Sequence, residues 1–136
     1  VGCGHPFRAP GHVPELPEEQ LRRLQFLDLN GKDLALDRER TERLTYGLGK
    51  RLQIPVVSGS DTHQAVQYGC VATVFENACD TIPALYGEML AGRYEIRLSG
   101  CAALQVRTAC LLKRSLKEIH ALGGDYVSIL TQGATA

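Results

Sequence analysis

Two hydrophobic periods alternate along the chain. Short apolar runs bounded by Gly, Pro, Asn or Ser give way to longer stretches in which apolar residues recur every three or four positions. The short runs predict strands over residues 26–29, 54–57 and 70–75. The longer stretches predict helices over 16–25, 38–52 and 81–91. Pro17 suits a first helical turn, Glu18 and Glu19 lie near its positive end, and Leu21 and Leu24 face inward. Asp37 is placed to cap the second helix, whose inward stripe is Leu44, Leu48 and Leu52. Gly47 and Gly49 weaken that helix, and the sequence supplies no reason for them. The third helix begins at a cap on Asp80 or Thr81 and ends at Gly92. Residues 94–98 alternate polar and apolar, as a half-exposed strand does. Residues 102–122 carry Leu104, Leu111, Leu112, Leu116, Ile119 and Leu122 near one helical face, which predicts an amphipathic terminal helix. A last strand is expected over 125–131, and residues 132–136 read as a frayed end. Parallel β units with covering helices account for this order, which makes the fold class α/β.

Chemistry enters at the ends of the apolar runs. The run from Ile54 closes on Ser58-Gly59-Ser60-Asp61-Thr62-His63. Small residues let the backbone bend, and loops at the carboxyl ends of parallel strands are where α/β proteins place reactive groups. Carboxylate and imidazole are ligands for zinc, manganese or iron. A turn-forming Asp beside a solvated His satisfies the same spacing. A second segment, Val1-Gly2-Cys3-Gly4-His5-Pro6-Phe7-Arg8, reads as the end of a strand followed by a His that Pro6 holds in place. The Arg8 guanidinium can clamp a phosphate or carboxylate. Here too a His-Pro turn with a solvated Arg fits.

The remaining candidates weigh less. Cys3 and His5 could chelate a soft metal, although a small thiol beside a strand is the simpler reading. Asn30 could line the pocket or merely shape an Asn-Gly turn. His12 sits in a Pro/Gly-rich loop, and His120 near a helix carboxyl end suits the dipole. Arg107, Lys113, Arg114 and Lys117 make the terminal helix basic; a solvated face explains them as well as a partner does.

Basic and acidic side chains balance at 15 each, so no global field draws nucleic acid or an acidic membrane. No apolar run approaches a membrane span. The five Cys form no Cys-x-x-Cys pair, which disfavours a zinc ribbon and suggests reduced thiols in a cytoplasmic setting.

Taken together, His5-Pro6-Phe7-Arg8, the run ending Leu29-Asn30-Gly31 and the turn Gly59-Ser60-Asp61-Thr62-His63 resemble the polymerase and histidinol phosphatase (PHP) superfamily of metal-dependent phosphoesterases. The segments from Tyr68 to Phe75 and Leu90 to Arg93 are similar to the family's segments downstream of that turn. The likeness covers residues 1–98; residues 99–136 would form a terminal helix and a possible strand packed on it. It implies a distorted (β/α)7 barrel with two or three divalent ions (Zn, Mn or Fe) at the carboxyl ends of its strands. It also implies that His5, Asp61 and His63 are metal ligands and Arg8 a phosphate contact. The substrate would be a phosphorylated small molecule or a nucleotide, with no membrane partner.

The family's amino-terminal His-x-His and intervening ligands have no counterpart here. A full barrel of this type takes roughly 200 residues or more, against 136 in this chain. The sequence therefore reads as the carboxyl-terminal portion of such a barrel, needing an amino-terminal half or a partner chain to complete the site. The competing expectation is a non-catalytic PHP-like scaffold or partner-binding module with an incomplete metal site.

Overall fold

The computed structural model describes residues 1–8 and 17–125. His12, the tail and the strand expected over 125–131, apart from Asp125, lie outside the described residues. The elements run β1 (Gly2–Cys3), α1 (Glu18–Leu21), β2 (Phe26–Asp28), α2 (Gly31–Leu36), α3 (Arg38–Leu52) and β3 (Val56–Val57), then a 3-10 turn (Ala65–Gln67), β4 (Val71–Phe75), α4 (Ile82–Leu90), β5 (Tyr94–Leu98) and α5 (Ala102–Ala121).

The first three strands form a parallel sheet in the order β1-β2-β3. Cys3 pairs with Leu27, and Leu27 with Val56. The ladder continues past the strands, with Leu29 N donating to Val57 O at 2.7 Å and Gly31 N to Gly59 O at 2.8 Å. This brings the ends of β2 and β3 side by side. Gly31 is required there, since a Cβ would lie 2.6 Å from the Gly59 carbonyl oxygen.

β4 and β5 form a separate two-stranded ribbon that is antiparallel, not the parallel unit expected. The reason lies in the excursion between them. Phe75 pairs with Tyr94, and the intervening segment closes on itself. Glu88, buried at the base of α4, accepts Arg93 Nη2 at 2.5 Å and Asn77 Nδ2 at 2.9 Å. Both ends of the excursion are thereby held at the same end of the ribbon, which a parallel crossover cannot do. The two sheets meet through side chains. Thr73 Oγ1 accepts from Ser58 N at 2.8 Å and donates to Ser58 O at 2.7 Å, and Tyr94 Oη donates to Val56 O at 2.8 Å.

α3 has the expected bounds, and the Asp37 carboxylate caps it by accepting from Arg40 N. Of its predicted stripe, Leu48 is buried while Leu44 and Leu52 are half-buried. Gly49 now has its reason. A Cβ there would lie 2.7 Å from Val56 Cγ2, so its absence lets α3 seat on β3. The helix expected over 16–25 shrinks to one turn, and α2 is an addition, capped by Asn30.

The larger correction concerns α5. Its buried positions are Ala102, Val106 and Ala109, joined by half-buried Cys110. Leu104, Leu111 and Leu122, expected inward, are 68%, 62% and 88% exposed. Small side chains let the helix approach closely; Ala102 and Val106 join the core of Leu21, Leu24, Leu27, Leu29, Leu34, Leu48, Val56, Cys70 and Val71. Gln105 fastens the helix further, its Nε2 donating to Val66 O at 3.0 Å and Tyr68 O at 3.2 Å. Among the described residues, no helix is long and apolar enough to cross a membrane.

Candidate functional site

The carboxyl ends of β1, β2 and β3 converge on one guanidinium. Arg8 follows the His5-Pro6 turn after β1, and that turn is pinned to α3 by Arg40 Nη1 donating to Phe7 O at 3.2 Å. Its Nη2 donates to Asn30 Oδ1 at 2.6 Å and to Asp61 Oδ2 at 2.7 Å, while Nε donates to Asp33 Oδ1 at 3.2 Å. Thus residues from behind all three strands, and from α2, meet at a single cation.

Each strand ends on unusual backbone. His5 has φ 36°, Asn30 φ 56° and Asp61 φ 49°, all in the left-handed region that side chains other than Gly, Asn and Asp seldom occupy. Such conformations cost about 1–3 kcal/mol each and cluster at functional sites. Asn30 is almost fully buried and works in three directions. Its Oδ1 accepts from Arg8 and from the N–H groups of Lys32 and Asp33, and its Nδ2 donates to Asp28 Oδ2 at 3.3 Å.

Asp61 is the hub of the site's charge. Burial pushes its carboxyl up, but hydrogen bonds from Arg8 and Asn30 and the nearby charges of Arg8 and His63 outweigh that. They hold it below the ordinary carboxylate value. Burial by itself would lower the Arg8 pKa; the bonds and charges of Asp61 and Asp33 raise it instead. The Asp61–Arg8 ion pair is therefore fixed at neutral pH. The turn beyond it is held by buried Gln67, whose Oε1 accepts from His63 N at 2.9 Å and Gln64 N at 3.1 Å. Gln67 Nε2 also donates to Asp61 O at 3.4 Å.

Asp61 and His63 are brought together, and His5 is not joined to them. His63 Nε2 lies 3.6 Å from Asp61 Oδ1, the oxygen turned away from Arg8, and the imidazole is 55% exposed. Two donors each about 2.1 Å from one ion in tetrahedral geometry stand about 3.4 Å apart, so this pair suits two positions on a divalent cation. His5 instead lines a small cleft with Phe7, Leu29, Asp33, Thr41 and Thr45. Among the described residues, no group of three or more His, Cys, Asp or Glu is arranged to hold a metal. Asp61 and His63 together offer at most two donors to such an ion.

Burial and then the Asp28 charge push the Cys3 thiol up, so it is protonated at neutral pH and a poor ligand. Sequence reasoning missed Asp28 and Asp33. Asp28 carried a readable signal, an acidic residue closing an otherwise apolar strand; it accepts Asn30 N at 2.9 Å. Asp33 became legible only with α2, whose first turn it occupies.

Neither the protein-family models nor the curated proteins contain a match to this chain. Among solved structures it is similar to the crystal structure of PsfC from Pseudomonas syringae PB-5123. The TM-score is 0.60 and the identity 19%, over 85% of this chain and 45% of the PsfC chain. The chain thus spans somewhat under half the length of that protein, and the two share a mixed α/β fold.

Proposed function

We propose that this chain contributes part of the active site of a metal-dependent phosphoesterase of the PHP type, its parallel sheet being a segment of the distorted (β/α)7 barrel. The observation that supports this best is the Asp61–His63 pair at the carboxyl end of β3, locked by Arg8 and flanked by strained backbone on three neighbouring strands. Asp61 and His63 would hold a zinc, manganese or iron ion, with donors from outside the described residues or from a partner chain completing the set; His5, in its separate cleft, would serve a neighbouring ion. A bound divalent ion lowers the pKa of its water and polarises phosphoryl oxygens. Arg8 does two things in this scheme: it fixes the Asp61 carboxylate and places positive charge where a phosphate would sit. Asn30 orients Arg8, and Gln67 sets the angle at which His63 leaves the turn.

The test is elemental analysis of the purified chain after exposure to zinc, manganese or iron, together with hydrolysis of p-nitrophenyl phosphate, for wild type and Asp61→Ala. Metal uptake that falls at least about tenfold in the variant supports the reading, since removing even an outer-shell partner of a ligand costs about 10–100-fold. A folded chain that takes up no metal would falsify it. That result would favour a partner-binding module, a reading consistent with only two candidate donors standing together among the described residues.

A further inference from the structure

α5 carries two apolar faces, and the domain covers one of them. Ala102, Val106, Ala109 and Cys110 pack on the core. On the opposite side stand Leu104, Leu111, Leu112, Ile119 and Leu122, all exposed. With Thr108 and Ser115 between them they fall within an arc of about 100°, in a stripe about 27 Å long. The stripe runs to the end of the helix, which Gly123 at φ 81° and Gly124 N donating to Ile119 O at 2.9 Å close just after Leu122. The patch continues onto the neighbouring turn, where Val66 and Tyr68 are exposed beside Gln105. Small residues between leucines leave holes that the leucines of a facing helix fill, so the pattern suits helix-on-helix packing.

A neighbour in the same layer as α5 reaches its flanks, not the side directly opposite the core, so the cover is a further body. The stripe is complementary to itself when reversed. Turning the helix end for end about residue 113 sets Leu104 opposite Leu122 and Leu111 opposite Ser115. The charged flank matches in the same operation. Arg107 and Glu118 lie on one side of the stripe, within about 20° of each other around the helix. A two-fold axis across an antiparallel pair brings that same flank of both helices together. Arg107 then comes level with Glu118 of the partner subunit to within about 1.5 Å along the axis. Among the described residues, neither is in an ion pair. The formal net charge is zero, so two copies do not repel each other. A lipid surface fits less well: Lys113 and Lys117 lie on the far side of the helix from the stripe, and a carboxylate, Glu118, stands on its border.

We propose that the outer face of α5 is a dimer interface, on which the α5 of a second copy packs antiparallel about a two-fold axis near residue 113. Arg107 pairs with Glu118 of the partner subunit, and the symmetry repeats the contact. The five apolar side chains leave on the order of 500 Å² in solvent, so the pair buries about 1,000 Å², the lower bound of a specific interface. The dimer is independent of the chemistry at Asp61 and His63.

The experiment is sedimentation equilibrium of the full chain between about 1 and 100 μM, the weak regime that suits an interface this small. Wild type is expected to pass from monomer to dimer within that range. Leu111→Ser, at an exposed position that the fold does not need, should weaken the dimer at least about tenfold. Arg107→Glu and Glu118→Arg each create two like-charge contacts and should weaken it by about tenfold. Mixed in equal amounts, these two single variants carry opposite charges across both contacts, and their heterodimer should return to within about threefold of wild-type affinity. Lys113→Gln with Lys117→Gln, on the far side of the helix, should leave the dimer within about twofold. A chain that stays monomeric throughout, a dimer indifferent to Leu111→Ser, or a mixture that fails to recover would each overturn the proposal. So would Leu111-dependent binding of a monomeric chain to phosphatidylserine–phosphatidylcholine vesicles, which would identify a lipid surface as the occupant.

Discussion

Gly47 and Gly49 look alike in the sequence and differ in what surrounds them. Both interrupt α3 and should weaken it by the same backbone entropy. A Cβ on Gly47 would meet nothing within 4 Å, whereas one on Gly49 would lie 2.7 Å from Val56 Cγ2 and 3.2 Å from Ile54 O. The second contact involves backbone and a buried strand, neither of which yields easily. Gly47→Ala should therefore raise stability by about 0.5–1 kcal/mol, the helical advantage of alanine. Gly49→Ala should lower it by about 1–3 kcal/mol, the usual cost of overpacking. Urea denaturation of both variants checks the pair; equal shifts would mean that α3 does not seat on β3 as described.

At the scale of the element, legibility followed how local the determinants were. The bounds of α3 were readable because its cap and its charged run lie within the helix itself. The length of α5 was readable for the same reason, but its orientation was not. The leucines that dominate its sequence pattern point away, because a helix that must approach closely buries Ala102, Val106 and Ala109 instead. Pairing direction was equally hidden for β4 and β5, since what sets it is the Asn77–Glu88–Arg93 closure across the excursion. Arg93 and Asn77 hold the Glu88 carboxyl below its usual value. A depressed carboxyl stabilises the fold fully above the unfolded value of 4.5, and that stabilisation is lost as pH falls through the folded one. Glu88→Gln should thus be less stable than wild type at neutral pH, with the difference closing as acid is added below 4.5. Thermal melts of both proteins along a pH series read this directly. A gap that persists unchanged into acid would show that Glu88 acts by packing alone.

For the whole molecule, the question is how a parallel sheet and an antiparallel ribbon act as one body. The sequence placed Asp61 and His63 at a strand end, because small residues and polar groups mark such turns wherever they fall. It could not show that Arg8 is the common partner of Asp33, Asn30 and Asp61, since those contacts span 22 to 53 residues. The same holds for the joint behind the site. Thr73 of β4 stands in for a strand neighbour, satisfying both the N–H and the C=O of Ser58, three residues before Asp61. Thr73→Val keeps the shape and removes both bonds, leaving a buried backbone donor and acceptor unpaired at a cost of about 1–3 kcal/mol. The Ser58 amide should then exchange with solvent faster, and by more than global destabilisation accounts for. Amides within the β4–β5 ladder should retain their protection relative to global unfolding, because their bonds lie inside the ribbon. If the joint also sets the Asp61 turn, metal uptake should weaken in the same variant while Asp61 and His63 remain in the sequence. Hydrogen exchange that rises uniformly across both sheets would instead mean that ribbon and sheet unfold as a single unit, with Thr73 one contact among many.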